Sequence, residues 1–232
     1  MNWLPLVLLA SLLLVFVGGV AIAVKIARRR DAQRLAALSQ VAADLGLSFT
    51  PTDNGVLRDL GGFAFYQSRS LPLATSVMRG RIHDTDILLF DYDTTLGSSN
   101  NRQLIRFTVA AFDVRATPLP VFTTQGTPQN RFARFVDKHL ANASIVFPED
   151  AAFSGAVHVA SADVDGVKRV LDADVRAFLI RRKPWMCRST GNWLVLAWFQ
   201  ERPTPADYPD FVREACEGKR LMCEWRKPDH HG

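Results

Sequence analysis

The residues best suited by type and spacing to chemistry are two aspartates, Asp91 and Asp93, in the segment ILLFDYDTTL over residues 87–96. Residues two apart on a strand point to the same side. Two carboxylates placed together at the end of a strand can serve nucleophilic or general acid–base chemistry.

This Asp-x-Asp-x-Thr pattern resembles the nucleophile motif of the haloacid dehalogenase class. The resemblance implies a phosphohydrolase in which Asp91 is the nucleophile and Asp93 the general acid, acting on one phosphate group beside a magnesium ion. It covers residues 87–96 of 232, and Thr94 stands where the class has glycine. In that class a helix soon follows the strand within a parallel sheet, whereas here the polar turn GSSNN leads into another alternating strand. The class's lysine and later acidic pair have no clean counterpart. We interpret the match as coincidental and keep the anchored phosphohydrolase as an alternative.

A structural role is the competing interpretation of the same acids. The strand ILLF would pair with SVMRGRI across the turn HDTD, and Asp91, Asp93 and Thr95 would then share one side. Neighbouring predicted strands offer four arginines as partners: Arg79, Arg81, Arg102 and Arg106. This interpretation predicts a cross-strand ion pair for Asp91 or Asp93 on a solvated or arginine-facing surface.

No other catalytic signature is present. The chain lacks GxSxG, GxxxxGK[ST], HExxH and GxGxxG. Its cysteines form no CxxC pair and stand at no ligand spacing from a histidine; they are Cys187, Cys216 and Cys223. We therefore predict no metal site and no cofactor. The same absence of motifs favours a protein that is not an enzyme.

The first 24 residues carry no charge and are almost wholly apolar. At about 1.5 Å per helical residue, such a stretch crosses a bilayer core of roughly 30 Å, so we predict a transmembrane anchor over residues 1–26. Positive charge follows the apolar run instead of preceding it, which argues against a cleaved signal. The flanking residues are Lys25, Arg28, Arg29 and Arg30. By the positive-inside rule, the amino terminus lies outside the cell inner membrane and the rest is cytoplasmic.

The net charge of +5 is concentrated beside this anchor. Five basic residues and one acidic residue lie within residues 25–34, which leaves a net charge of +1 for the rest of the chain. This distribution favours contact with the lipid bilayer and argues against nucleic acid as a partner. Gly19 and Ala23 form a small-xxx-small pair that could bring two anchors together, so a homodimer or another protein partner stays open.

The elements that would position these residues follow from periodicity. Residues 27–46 show helical spacing of apolar residues and end at Gly46, which predicts a juxtamembrane helix. Residues 47–122 form a strand-rich part with short turns, and 123–226 a helix-rich part; 227–232 are a tail.

Individual segments refine this division. The strand-rich part holds FAFYQSR, SVMRGRI, DILLFDY and LIRFTVAAF as predicted strands. The helix-rich part holds the predicted helices QNRFARFVDKHL and DVDGVKRVLDADVRAFLIRR, a hairpin at 185–199, and a last helix from Tyr208 to Leu221 capped by Asp207. The fold class predicted is α+β: a transmembrane helix, then an antiparallel hairpin meander packed with amphipathic helices.

The order of anchor, basic flank, LGLSF, FxFY and RGxIxxxDILLFDYDTT is similar to that of bacterial single-pass membrane proteins of unknown function. The resemblance implies this topology and no activity or ligand. We therefore predict a single-pass inner-membrane protein whose cytoplasmic domain is a scaffold, adaptor or sensor. Besides the phosphohydrolase, a lipid-headgroup or small-ligand binding module is the other alternative, because the basic flank would hold the domain against the bilayer.

Overall fold

The computed structural model describes residues 4–61, 72–82, 84–96, 103–126, 145–181, 185–198 and 202–224. Eight strands are found there: β1 Ser48–Thr52, β2 Leu73–Ile82, β3 Thr85–Leu96, β4 Gln103–Asp113, β5 Phe122–Gly126, β6 Val157–Ala160, β7 Trp185–Ser189 and β8 Trp193–Trp198. The helices of the same residues are α1 Leu4–Asp44, α2 Gly55–Asp59, α3 Ala151–Ala156, α4 Val164–Val170, α5 Ala173–Ile180 and α6 Tyr208–Glu224. A single 3-10 turn, Pro205–Asp207, leads into α6.

The strands form one sheet in the order β1-β2-β3-β4-β8-β7-β5-β6, and every neighbouring pair is antiparallel. The predicted α+β class with an antiparallel meander is thereby confirmed, with β2, β3 and β4 as the meander. The predicted hairpin at 185–199 corresponds to β7 and β8. Because β4 pairs with β8, strands from residues 47–122 and from 123–226 belong to the same sheet.

Helices pack on one face of this sheet and bury most of the apolar side chains. Leu38 of α1, Phe178 of α5 and Phe211 of α6 lie in one cluster with Leu89 and Phe112 of the sheet. Each such side chain contributes roughly 1.5–3 kcal/mol when it leaves water. The cluster holds the three long helices against the strands that carry the acids.

The opposite face has a separate apolar cluster. Val56 and Leu57 of α2 and the following Leu60 pack there against strand residues that include Phe90 and Phe107. Alternating residues of β3 therefore reach two different cores, since side chains on a strand alternate between the faces. Asp91 and Asp93 share the parity of Leu89 and lie on the face that carries α1 and α6.

α1 runs without a break through both parts predicted for it, 1–26 and 27–46, and Gly46 ends it as expected. Gly46 has φ +70°, and its N–H donates to the carbonyl of Ala43, while that of Leu47 donates to Ala42. Residues 22–33 are exposed, and burial begins with Arg34. Among the residues that the structure describes, no helix is both long and apolar enough for a membrane crossing.

Two local predictions differ from the structure. The helix predicted from Asp163 onwards is divided into α4 and α5, because Asp172 is extended and caps α5 by accepting a hydrogen bond from the N–H of Val175. Asp207, predicted as the cap of the last helix, is instead the last residue of the 3-10 turn. Its carboxylate accepts hydrogen bonds from the N–H and the hydroxyl of Thr204. The predicted strand FAFYQSR, the predicted helix QNRFARFVDKHL and the tail 227–232 lie outside the described residues.

Candidate functional site

Asp91 lies in the middle of β3 and is the centre of the candidate site. Its side chain is 0% exposed, and five further residues of the strand follow it. The strand register places it opposite Thr75 of β2 and Thr108 of β4. β3 is thus a central strand whose face at this point is covered, so the carboxylate is removed from water.

Four side chains from distant parts of the chain surround this carboxylate. We call these four residues, together with Asp91, its neighbour Asp93 and Arg106, the Asp91 cluster. Oδ1 accepts hydrogen bonds from the Thr108 hydroxyl at 2.5 Å and the Tyr208 hydroxyl at 3.0 Å. Oδ2 lies 3.3 Å from Nη2 of Arg34 and 2.9 Å from Nε of Arg202. A buried carboxylate is tolerated only when paired and hydrogen-bonded, and this arrangement provides both.

The cluster fastens three elements to the sheet. Arg34 belongs to α1 and also donates to the Pro203 carbonyl at 2.9 Å. Arg202 precedes the 3-10 turn, and Tyr208 begins α6. Burial, and next the negative charge of Asp91, raises the pKa of Tyr208, so the phenol keeps its proton and serves as a donor. The first helix and the last helix therefore converge on one carboxylate.

Asp93 occupies the rim of the cluster. Its Oδ2 lies 3.3 Å from Nε of Arg106, directly opposite on β4, and its Oδ1 lies 3.9 Å from Nη2 of Arg202. That Oδ1 atom is buried and makes no hydrogen bond. Burial raises the pKa of Asp93, and the neighbouring charge of Asp91 acts in the same direction, whereas Arg202 and Arg106 oppose it.

The structure gives different partners to the aspartates and arginines that the sequence had suggested as ion pairs. The cross-strand pair is present as Asp93 with Arg106. Asp91 faces arginines but does not lie at the surface that was expected, because helices α1 and α6 cover it. Arg79 pairs instead with Asp53 and Asp59. Arg81 pairs with Asp86, and Arg102 lies outside the described residues.

The membrane-flank residues are a different set from the cluster. Lys25, Arg28, Arg29 and Arg30 are exposed on α1. Arg30 precedes Arg34 by four residues, or about 6 Å along a helix. The exposed basic turn and the half-buried Arg34 are therefore neighbours on one helix.

The geometry does not supply what the phosphohydrolase hypothesis requires. A nucleophile must be accessible, whereas both oxygens of Asp91 are engaged and the side chain is buried. Asp91 lies within an antiparallel meander and not at the end of a parallel strand. The described residues also contain no group of three or more His, Cys, Asp or Glu side chains that could hold a metal ion.

The three cysteines are free thiols. Cys187 is buried, and Cys216 and Cys223 are half-buried. Burial raises the pKa of each thiol, which keeps the reactive thiolate form scarce. These residues are packing groups of the core that α6 shares with β7.

Four members of the cluster were missed from sequence: Arg34, Thr108, Arg202 and Tyr208. One signal existed for Arg34, which lies four residues before Leu38 and so heads the apolar stripe of its helix. Thr108 carried a weaker signal as the polar residue of an alternating strand. Nothing marked Tyr208, which is 117 positions away from Asp91.

No protein-family model matches this chain, and no curated protein matches it. Among solved structures, the crystal structure of the mycobacterial trehalose monomycolate transport factor A, TtfA, is similar, with a TM-score of 0.51 and 13% sequence identity. The similarity covers 81% of this chain and 93% of that one. The two proteins therefore share a fold.

Proposed function

We propose that this chain is a single-pass inner-membrane protein whose cytoplasmic α+β domain works as a non-enzymatic scaffold, adaptor or sensor. The observation that carries the proposal is the attachment of α1 to the sheet through Arg34 and Asp91. A domain that only needed tethering could hang from a flexible linker. Here one continuous helix passes from the exposed basic turn into the domain core, which holds the domain at a defined angle to its anchor.

The amino-terminal sequence supports the membrane assignment. Residues 1–24 are uncharged, and the exposed basic flank over Lys25 to Arg30 stands where the inner headgroups would be. The proposed orientation puts the sheet on the cytoplasmic side.

The likeness to TtfA supports the class of role. That protein is named a transport factor. For this chain we propose that it assists another membrane component and turns over no substrate itself. The buried, fully engaged Asp91 fits this class, because its contacts serve to join elements.

The orientation is tested with reporter fusions to the carboxyl terminus of the full chain. A fluorescent protein that matures only in the cytoplasm should be bright, and a phosphatase that folds only in the periplasm should be inactive. The opposite pattern would overturn the topology and with it the proposed partners.

The non-enzymatic role is tested by incubating the full-length protein with magnesium and a panel of phosphoesters. No phosphate release is expected. Release that Asp91→Asn abolishes, and that the control Asp86→Asn leaves intact, would establish the phosphohydrolase instead. Asp86 is a suitable control because it lies on the same strand and is exposed, where it pairs with Arg81.

A further inference from the structure

The Asp91 cluster carries more positive than negative charge. Its arginines are Arg34, Arg106 and Arg202, and its carboxylates are those of Asp91 and Asp93. One positive charge is therefore left without a counter-charge within the cluster. Partly buried cationic groups attract an anion more strongly than exposed ones do, because water screens them less.

The guanidinium groups of the arginines also reach the surface. Arg34 and Arg202 each use part of the guanidinium group for Asp91, through Nη2 of Arg34 and Nε of Arg202. The side chains of these two residues are about a quarter exposed, at 22% and 25%, and that of Arg106 is 52% exposed. A guanidinium group is planar and presents several N–H donors in a geometry that matches phosphate oxygens.

The direction of α1 shows which way this rim faces. The chain just after the end of α1 lies beside β2, because Leu47 is next to Gly80, which is opposite Ile87 of β3. Arg34, ten residues before the last residue of α1, lies at Asp91. Continued towards its amino terminus, α1 passes the end of β3 that holds Asp93 and Thr95, so this end of the sheet faces the proposed membrane.

Apolar side chains flank the arginine at that end. Leu104 is 52% exposed and lies two residues before Arg106 on the same face of β4. Leu73, at the start of β2 opposite Asp93, is also exposed. At about 3.3 Å per strand residue, Arg106 lies roughly 7 Å and Leu104 roughly 13 Å beyond the level of Asp91 in the membrane direction.

We infer that the rim of the sheet at Arg106 and Arg202, with Leu73 and Leu104 beside it, binds the phosphate of an anionic lipid headgroup in the membrane that holds α1. The unbalanced charge attracts an anion, the planar guanidinium groups match the oxygens of a phosphate, and the two leucines enter the interface between headgroups and acyl chains. The exposed basic turn of α1 extends the same positive surface. This inference rests on the proposed membrane anchorage.

The test uses the full chain in bilayer nanodiscs, with the photo-crosslinking residue p-benzoylphenylalanine in place of Leu104. The discs contain either phosphatidylcholine alone or a mixture with phosphatidylglycerol, and mass spectrometry measures crosslinked lipid. Crosslinking to phosphatidylglycerol is expected. Arg106→Gln should lower it about fivefold, the loss expected for one basic group at an anionic surface. Arg106→Lys should retain most of it.

Arg81→Gln is the matched control, because Arg81 is an exposed arginine in an ion pair at the opposite end of β2 and β3. It should leave crosslinking unchanged, and the photo-crosslinker placed at position 81 should capture no lipid. Soluble glycerol phosphate at the same concentration as the lipid should not compete, because it lacks the acyl chains that hold a headgroup at the rim. Competition by it would replace the lipid with a free phosphate ester as the ligand and overturn the inference.

Two further outcomes separate this inference from the proposal beneath it. Equal crosslinking in neutral and anionic discs, or none from position 104 in protein that resists extraction by carbonate, would overturn headgroup binding and leave the anchorage standing. Protein that carbonate releases from membranes would overturn the anchorage, and both would fall.

Discussion

Within the part of the chain that the structure describes, a charged side chain is buried in two places, at Asp91 and at Arg176, and the two places are built differently. The Asp91 cluster collects its partners from positions up to 117 residues away. The partners of Arg176 in α5, by contrast, lie close to it in sequence. They are Asp150 and Glu149, at 3.0 and 3.3 Å, and the carbonyl of Leu171 at 2.9 Å. Its guanidinium also lies 5.0 Å from the centre of the Phe147 ring.

The difference shows what each arrangement does. Arg176 holds residues 147–176 together as a local unit, and its carboxylates still reach water. Asp91 joins the first helix, two strands and the last helix, and no solvent reaches it. Loss of the local pair leaves carboxylates that water can satisfy, whereas loss of Asp91 leaves two largely buried arginines without their nearest counter-charge.

The largest effect is expected from Asp91→Ala. It removes the fully buried counter-charge of Arg34 and Arg202, whose side chains are about three-quarters buried, and breaking such a pair costs about 3–5 kcal/mol of unfolding free energy. Urea denaturation of the full chain in detergent measures this value. A loss under about 1 kcal/mol would mean that water enters the cluster, and the contrast with Arg176 would disappear.

A smaller effect is expected from Arg176→Met. Asp150 and Glu149 can be hydrated after the change, and methionine keeps part of the contact with Phe147, so a loss of about 1–3 kcal/mol is expected. The same denaturation experiment gives the number. A loss equal to that of Asp91→Ala would show that local and long-range clusters are equivalent here.

The pH dependence of stability should have opposite signs at the two places. Burial raises the pKa of Asp93, so the folded state holds that proton more tightly than the unfolded chain does. Its contribution is therefore present at low pH and is lost as pH rises above the ordinary value of 3.8 and through the raised pKa.

Asp150 behaves in the reverse way. The N–H of Phe153 and next the Arg176 side chain hold its pKa below the ordinary value, so its contribution is present above that value and is lost as pH falls through the lowered pKa. Urea midpoints of the native chain, Asp93→Asn and Asp150→Asn across pH 3 to 7 test both signs. Parallel curves for the two variants would contradict the assignment.

The smallest effect is expected from Arg81→Gln. Its ion pair with Asp86 spans 3.4 Å between two mostly exposed side chains, and such pairs contribute roughly 0–1 kcal/mol. The unfolding free energy should stay within that range of the native value. A greater loss would show that exposure alone does not separate this pair from the Asp91 cluster.

Particular residues show how far the sequence could be interpreted. The strand of Asp91, the stop at Gly46 and the hairpin at 185–199 were predictable, because each depends on a local pattern of alternation, a turn or a left-handed glycine. The division between α4 and α5 was not, because Asp172 is compatible with a helix and becomes a cap only in context. Arg106 was one of four arginines predicted as possible partners of the acids, and strand alternation alone could not show which of them pairs with Asp93.

The sequence by itself determined the antiparallel meander and the side of β3 to which Asp91 and Asp93 belong, since strand geometry makes residues two apart share a side. It also determined the concentration of charge beside the apolar amino terminus. Only the tertiary structure decided that Asp91 is buried and Asp93 is at the rim. Burial depends on which helices cover a strand, and Arg34 and Tyr208 reach Asp91 only after the two ends of the chain have folded onto the same sheet.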